Sequence, residues 1–268
     1  MKDLTFLIPT RIESEDRLRN IISSVSYLLK NFPAKVMVKE VSSQETFKFR
    51  AIPEIQKYAS DENLFYLYEK TKDPLFCKSK VLNDMIVESD TEFVANYDAD
   101  CILPITSYHQ AYAILKEDKA DVVYPYGCGI YQWKAEYNMQ VYEEFISTLD
   151  YRILNKRRTL SNSTIGWTQF VNRQKYIDSY MMNENFVSWG CEDDEFYFRM
   201  STLGNRIARV NDYVYHLEHE RTWNSWFSSP KFNDNWNLWH KIKTFDKKKL
   251  MEYYEEQEYL KTRRKQLQ

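Results

Sequence analysis

The sequence contains very little glycine. Only five of its 268 residues are glycine, and none of them precedes Gly127. A Walker A loop and a GxGxxG dinucleotide turn both need glycines after an early strand, where backbone amides must approach a phosphate. Both motifs are therefore excluded from residues 1–126. If the chain binds a nucleotide, it must hold the phosphates in another way.

The sequence also lacks a strong net charge, a long apolar run and paired cysteines. Its formal net charge of −2 and isoelectric point near 6.2 give no global positive field, which argues against a nucleic-acid partner. No run of about 18 apolar residues is present, so no transmembrane segment is predicted. The N-terminal residues do not predict a signal peptide. Four cysteines without CxxC spacing favour free thiols in a reducing cytoplasm.

Apolar strands and amphipathic helices alternate along the chain. The pattern predicts strands at residues 4–8, 36–41, 64–68, 92–97, 121–124, 168–171, 206–210 and 213–217. It predicts helices after Ser14 and around residues 81–86, 108–115, 145–149, 174–181 and 196–203. Such alternation indicates an α/β fold in which helices flank a mostly parallel sheet.

Residues 241–268 differ in character from the rest of the chain. They contain nine Lys or Arg and five Asp or Glu, and Leu250, Tyr253, Tyr254 and Leu260 have the spacing of one appended helix. The stretch predicts a solvated helical tail. Alternatively, it is a basic surface that contacts anionic lipid at the inner face of a membrane.

Two carboxylates follow the predicted strand at residues 92–97. Asp98 and Asp100 are separated by one residue, and Leu103-Pro104 comes shortly after them. Ligands of open α/β sheets gather outside the carboxyl ends of strands, where a pair of carboxylates suits a hard cation. A DxD pair alone is also consistent with an acidic turn that ends the strand.

A run of four acids opens the predicted helix at residues 196–203. Glu192 and Asp193 lie four and three residues before Phe196, so they share its side of the helix and point inward. Trp189-Gly190 precedes them. Acids in a first helical turn also complement the helix dipole, but the inward phase favours a functional site.

Two histidines flank the end of the last predicted strand. His216 and His219 can supply imidazole ligands to a borderline divalent ion such as Mn²⁺, completing a mixed oxygen and nitrogen site with Asp100. His216 is slightly favoured because it follows directly on the strand, and His219 stays open as the alternative.

Four elements together resemble the GT-A glycosyltransferases, near family 2 and the branch of β-1,4-galactosyltransferases and chondroitin polymerases. In sequence order they are Pro9-Thr10-Arg11, Phe76-Cys77-Lys78-Ser79-Lys80-Val81-Leu82-Asn83, Asp98-Ala99-Asp100 with Leu103-Pro104, and Trp189-Gly190-Cys191-Glu192-Asp193-Asp194. The likeness covers roughly residues 4–220. It implies a GT-A (Rossmann-like) catalytic domain at 1–220, with a nucleotide-sugar half at about 1–104 and an acceptor half at about 105–220. Residues 221–268 would form an aromatic and helical extension.

The resemblance implies an inverting, Mn²⁺- or Mg²⁺-dependent transfer from a UDP-sugar to a glycan or glycolipid acceptor. The transferred group would be a hexose or N-acetylhexosamine, with galactose or N-acetylgalactosamine favoured, in the synthesis of a bacterial surface polysaccharide. Asp193 would be the base, and Asp100 with His216 or His219 would bind the metal. The donor would be bound by Pro9, Thr10, Arg11, Glu13, Phe76, Lys78, Asp98 and Asp100. Sugars would be bound by Gly166, Trp167, Trp189, Gly190, Glu192 and Asp194.

One departure and two alternatives accompany this interpretation. Lys78 stands where the family has an arginine, so it offers charge without the planar fork. The chain could instead be a non-catalytic nucleotide-sugar-binding subunit of a glycan assembly complex. A sugar-phosphate nucleotidyltransferase is disfavoured because no glycine follows the first strand.

The polar stretch from Lys156 to Thr164 is expected to close over a bound donor.

Overall fold

The computed structural model describes residues 1–155, 158–160 and 165–267. The strands are β1 Leu4–Thr10, β2 Lys35–Ser42, β3 Leu64–Lys70, β4 Phe93–Tyr97, β5 Cys101–Ile102, β6 Val122–Tyr124, β7 Gln132–Ala135, β8 Arg158–Leu160, β9 Thr168–Asn172, β10 Ile207–Arg209 and β11 Val214–Leu217. The helices are α1 Glu15–Asn31, α2 Ile52–Ile55, α3 Lys78–Glu88, α4 Ile105–Lys116, α5 Met139–Thr148, α6 Arg152–Asn155, α7 Arg173–Asp178, α8 Glu192–Leu203, α9 Phe232–Ile242, α10 Lys247–Glu255 and α11 Glu258–Gln266. None of the helices in this part of the chain has both the length and the apolarity needed to cross a membrane.

The core of the molecule is a seven-stranded sheet in the order β10–β6–β9–β4–β1–β2–β3. Every neighbouring pair is parallel except for the two that involve β9, which runs antiparallel between β4 and β6. All seven residues of β1 are buried, as expected for a central strand covered by helices on both faces. The predicted α/β fold with a mostly parallel sheet is therefore confirmed.

A second, four-stranded sheet has the order β5–β11–β7–β8 and was not predicted. Only β11 matches a predicted strand; β5, β7 and β8 are two to four residues long, too short to give a clear apolar alternation. β11 pairs antiparallel with β5, with His216 opposite Cys101. The small sheet therefore brings the end of β11 next to the turn that follows β4.

The first helix begins where the sequence predicts. The Ser14 hydroxyl accepts a hydrogen bond from the Arg17 amide, and two acids occupy the first turn. The predicted helix at 174–181 is shorter than expected, because Tyr180 and Met181 adopt left-handed backbone angles that end it. The turn they form leads into the segment before α8.

The predicted C-terminal helical extension is confirmed, and it contains more than one helix. The extension forms three helices, because the chain turns at Phe245 and Asp246 caps α10 by accepting from the Lys249 amide. These helices pack around a second apolar cluster of Tyr180, Phe186, Ile242, Phe245, Leu250, Tyr254 and Leu260. The extension is therefore packed against the main sheet domain.

A fully buried ion pair within α8 is hydrogen-bonded to this extension. The Arg199 Nε lies 2.9 Å from Glu195 Oε1, and both side chains are 0% exposed. Arg199 also donates to the Ser179 carbonyl, while the Tyr254 hydroxyl donates to Glu195. Every strong polar group of the pair thus has a partner within the core.

We expect Arg199→Ala to destabilise the protein by about 3–5 kcal/mol, because it leaves the buried Glu195 carboxylate without its counter-charge. Urea unfolding followed by circular dichroism measures the change. The matched control is Arg264→Ala, which breaks an ion pair with Glu255 that is half exposed and should cost less than about 1 kcal/mol. Equal losses in the two variants would contradict a structural role for the buried pair.

Candidate active site

A cleft of about 740 Å³ opens where the chain leaves the C-terminal ends of β1 and β4. Most of the residues predicted from the sequence line it: Pro9, Thr10, Arg11, Glu13, Phe76, Lys78, Asp98, Asp100, Gly166, Trp167, Trp189, Glu192, Asp193, His216 and His219. Two predicted residues do not. Asp194 is exposed on the first turn of α8, and Gly190 is buried, with its Cα facing the Phe232 ring.

The antiparallel strand β9 explains why residues distant in sequence meet here. Its first residue pairs with Tyr97, the last residue of β4. The Asp98 amide then donates to the Trp167 carbonyl at 3.0 Å. Gly166 and Trp167 therefore lie beside the DxD turn although they are about 70 residues away from it.

Asp100, His216 and His219 form a compact group of potential metal ligands. The Nε2 atoms of His216 and His219 lie 3.5 and 3.0 Å from Asp100 Oδ2. One ligand atom from each residue falls within 4.8 Å of the others. The Leu217 amide donates to the Asp100 carbonyl at 2.7 Å, which fixes the spacing. Both candidate histidines therefore lie at the site, whereas the sequence slightly favoured His216.

The protonation states of this group suit a cation. Burial lowers the pKa of His216 to about 4, so the imidazole is neutral at pH 7. Burial acts to raise the pKa of Asp100, but interactions with His216 and His219 outweigh it and hold that pKa well below its usual range. His219 Nδ1 lies 2.8 Å from the Glu220 carbonyl oxygen, a contact that orients the ring with Nε2 towards Asp100. A carboxylate and two imidazoles are a donor set that fits Mn²⁺.

A second cluster lies next to the first and is built around Lys78. Its Nζ lies 2.9 Å from Asp98 Oδ1 and 3.5 Å from Asp193 Oδ2. Gln169 Nε2 donates to the other Asp193 oxygen at 3.4 Å. The Lys78 side chain is only 16% exposed, so the first residue of α3 supplies a largely buried cation to carboxylates from β4 and α8.

Burial and like charge set the pKa values of this second cluster. Burial raises the pKa of Asp193 well above its ordinary value, Lys78 opposes the shift, and Glu192 adds to it. Burial also raises the pKa of Asp98 to about 6, again against the effect of Lys78. The pKa of Lys78 is raised because the carboxylates outweigh its own burial. Asp193 is therefore a stronger base than a free aspartate.

The loop before α8 has an unusual backbone. Ser188 and Cys191 both have positive φ, at 61° and 68°, and Gly190 has φ 119°. The Gly190 amide donates to Glu192 Oε2 at 3.1 Å, which holds that carboxylate beside the cleft. Non-glycine residues rarely adopt such angles, and they persist where the surrounding packing enforces them. Here the angles turn the chain sharply enough to bring Trp189 and Glu192 to one wall.

Arg11 and Glu13 stabilise the end of the cleft that lies away from Trp189 and Glu192. Arg11 donates to the carbonyls of Val41, Asp73 and Pro74 at 2.8–3.0 Å and lies 5.5 Å from the centre of the Phe76 ring. Glu13 accepts from Thr222 and Asn224, so residues beyond 220 close this end. Among the described residues, the buried Arg11 Nη2 has no hydrogen-bond partner.

Other lining residues were missed by the sequence analysis. They are Arg17, Asn20, Ala99, Lys134, Ser188, Glu218, Arg221, Asn224, Ser225 and Phe227. Most come from a helix face, from the unpredicted strand β7 or from beyond residue 220, where no motif marks them. The basic character of Arg17, Lys134 and Arg221 was the one available signal.

The predicted lid falls mainly on residues 156–157 and 161–164, which lie outside the described residues, and residues 158–160 form β8.

Comparison with known proteins agrees with this geometry. Residues 155–220 match the family model described as the N-terminal domain of galactosyltransferase. The structure is similar to that of S. aureus TarS residues 1–349 in complex with UDP-GlcNAc, with a TM-score of 0.58 and 18% identity over 89% of this chain and 64% of that one. The chain has the fold of the GT-A glycosyltransferases. The resemblance predicted from the sequence is thus confirmed.

Two further similarities support the same fold. S. aureus TarS 1–349 without a named ligand gives a TM-score of 0.53 at 18% identity, over 81% of this chain and 60% of that one. The mannosyltransferase PcManGT from Pyrobaculum calidifontis, in complex with GDP-Man and Mn²⁺, gives 0.52 at 14% identity, over 81% and 56%. This chain therefore spans less than two thirds of the length of each of these structures. No curated protein matches the sequence.

Gly166 lies so close to the Asp193 carboxylate that a larger side chain at position 166 would not fit. A Cβ at position 166 would lie 2.1 Å from Asp193 Oδ2 and 3.3 Å from its Cβ. We expect Gly166→Ala to lower the free energy of unfolding by about 1–3 kcal/mol, since the carboxylate must leave its place beside Lys78.

A double-mutant cycle in urea tests this explanation. Asp193→Ala removes the clashing atoms, so adding Gly166→Ala to it should cost clearly less than adding Gly166→Ala to the wild type. Additive losses would mean that Gly166 is required for a reason unrelated to Asp193.

Proposed function

We propose that the protein is an inverting glycosyltransferase that uses a UDP-sugar and a divalent metal ion. The observation that carries the proposal is the convergence, in one cleft, of a potential metal group and a cluster containing a largely buried carboxylate of raised pKa. The fold and the galactosyltransferase family match at residues 155–220 support it.

In this proposal the residues at the ends of β1 and α3 bind the nucleotide. Arg11 and Phe76 form a cation and ring pair at this end of the cleft, where the uracil would bind. Glu13 faces the same end of the cleft. Asp98 is assigned to the ribose or the donor sugar, and Lys78 keeps it charged.

Asp100, His216 and His219 would hold the metal. A divalent ion bound there supplies positive charge to the diphosphate of UDP as it leaves. Arg17, Lys134 and Arg221 line the cleft as well and would add their charges. These cationic groups would hold the phosphates without a glycine-rich loop, which residues 1–126 lack.

Asp193 would act as the general base. Its carboxylate takes the proton of an acceptor hydroxyl as that oxygen bonds to the anomeric carbon, and the bond from that carbon to the UDP oxygen breaks on the opposite face. The configuration at the anomeric carbon is inverted. Trp189 and Glu192 would hold the acceptor sugar, and Gly166 leaves the room that the Asp193 carboxylate needs.

We further propose galactose or N-acetylgalactosamine as the transferred sugar. The family model at residues 155–220, described as a galactosyltransferase domain, supports this choice. The TarS structure was obtained with UDP-GlcNAc, so the same fold accommodates an N-acetylhexosamine donor in that protein. A glycan or glycolipid acceptor in bacterial surface polysaccharide synthesis is part of the same proposal.

Cytoplasmic location and peripheral contact with anionic lipid stay predictions. Part of the basic character of the C-terminal stretch is neutralised within the fold, since Arg263 is buried in ion pairs with Asp84 and Glu184. The exposed lysines at positions 241, 243 and 247–249 would carry any such contact. The nucleotidyltransferase alternative gains no support from the comparisons.

The metal assignment predicts that Mn²⁺ strengthens UDP binding. We expect Asp100→Ala, His216→Ala and His219→Ala each to weaken Mn²⁺ binding by more than the roughly 10- to 100-fold that follows from losing an outer-shell partner. Calorimetric titration of UDP, with Mn²⁺ or with a chelator, measures the effect. His109→Ala, an exposed histidine that does not line the cleft, is the control and should bind as the wild type does. Equal UDP affinity with Mn²⁺ and chelator in the wild type would refute the assignment.

The base assignment predicts that Asp193→Asn keeps donor and metal binding but loses transfer by about 10²- to 10⁴-fold, the usual contribution of a positioned base. Glu192→Gln should instead raise the KM of the acceptor as well, because a sugar-binding contact acts in the ground state too. Steady-state kinetics with saturating UDP-sugar compare the two variants. Near-normal turnover of Asp193→Asn would refute the base assignment, because Asp194, the next acid of the run, is exposed and does not line the cleft.

A further inference from the structure

An aromatic shelf leads out of the cleft along the C-terminal extension. We define it as Trp189, Trp226, Phe227, Phe232 and Trp236. The first three line the cleft. Phe232 stacks on Trp189 with ring centroids 5.6 Å apart, and Trp236 follows Phe232 at 6.0 Å. The shelf is therefore continuous from the cleft wall to the outer surface of α9.

The shelf is unusually exposed for so many large rings. Phe227 is 59% exposed, Trp236 47% and Trp226 44%. Contiguous exposed apolar patches on a soluble domain mark binding surfaces. Phe232, Trp236 and His240 recur at four-residue steps on one face of α9, so the rings extend over about 12 Å of the helix axis, which is longer than one sugar ring.

The protein holds the shelf in a fixed position relative to the base. Asn235, on the buried side of α9, donates to the carbonyls of Val187 and Trp189 at 2.9 and 3.2 Å. Its Oδ1 accepts from the Val187 amide at 3.3 Å. This fixes α9 to the strained loop that carries Trp189 and Glu192 towards Asp193. A preformed surface of this kind loses little entropy on binding.

The chemistry of the shelf favours a carbohydrate chain over an acyl chain. Among the described side chains of residues 221–243, the exposed large apolar ones are all aromatic. Flat rings suit the C–H face of a pyranose, and the exposed amides of Asn233 and Asn237 on the adjoining ridge of α9 can bond its hydroxyl rim. An acyl chain would make no use of these amides.

We propose that the shelf binds the sugars that precede the acceptor terminus, so that the acceptor is an oligosaccharide chain. The terminal sugar lies against Trp189 and Asp193, and the preceding ones lie over Phe232 and Trp236. This deepens the proposed function and rests on it, since it names the class of acceptor that the same cleft takes.

The first test uses the indole N–H signals of Trp226 and Trp236 in NMR spectra, assigned by Trp→Phe variants, with UDP and Mn²⁺ present. The probes are cello-, galacto- and chito-tetraose and the methyl glycosides of glucose, galactose and N-acetylglucosamine. We expect at least one tetrasaccharide to shift both signals, and its methyl glycoside to leave Trp236 unchanged at the same concentration.

The second test compares two variants that each remove an exposed aromatic ring. Trp236→Ala should weaken binding of that tetrasaccharide by about tenfold while leaving methyl glycoside and UDP affinities unchanged. Phe49→Ala is the matched control, since Phe49 is 68% exposed and does not line the cleft. It should change none of the three affinities.

Two results would overturn the proposal. One is that no tetrasaccharide shifts either indole signal. The other is that vesicles of phosphatidylethanolamine and phosphatidylglycerol shift them while the sugars do not, which would make the shelf a membrane contact. Failure of the proposed function gives a different result, because UDP would then bind without dependence on Mn²⁺ while the indole signals still report on the sugars.

Discussion

The site depends on one buried cation between carboxylates. Asp98 comes from the end of β4 and Asp193 from the first turn of α8, and Lys78 lies between them at 2.9 and 3.5 Å. Burying two carboxylates side by side is costly unless a counter-charge accompanies them. The packing of β9 against β4, and the absence of a side chain at Gly166, both serve to make room for this arrangement.

Burial has opposite consequences in the two neighbouring groups of the cleft. Around Lys78 it raises the pKa of Asp193 and produces a stronger base. At the metal group it keeps His216 neutral, while Asp100 stays ionised through its contacts with the imidazoles. One cleft therefore offers a proton acceptor and a cation-binding group side by side. The proposed transfer needs this combination.

The C-terminal extension is a wall of the cleft as well as an appendage. Thr222 and Asn224 donate to Glu13, Asn235 holds the loop that carries Trp189, and Tyr254 donates to the buried Glu195 of α8. These contacts reach the proposed nucleotide end, the proposed acceptor end and the helix that bears Asp193. The predicted domain boundary at residue 220 follows the extent of the family resemblance. Residues on both sides of this boundary line the same cleft.

The sequence by itself determined the alternation of strands and helices, because apolar periodicity is local and survives without tertiary information. It also identified most of the predicted residues that line the candidate cleft, because motifs such as Asp98-Ala99-Asp100 and Trp189-Gly190-Cys191-Glu192-Asp193 carry their chemistry in adjacent residues. It marked Glu192 and Asp193 as inward-facing from helical phase alone, and their exposure agrees.

Tertiary structure decided the rest. The antiparallel course of β9 brings Gly166 to Asp193, and the short strands of the second sheet bring both His216 and His219 to Asp100, where spacing could only rank one above the other. The burial of Glu195 with Arg199, and the shelf from Trp189 to Trp236, likewise come from the folding of the extension back onto α8. The physical reason is common to all of these: each is a contact between distant segments, set by strand pairing and packing, and no local pattern in the sequence encodes it.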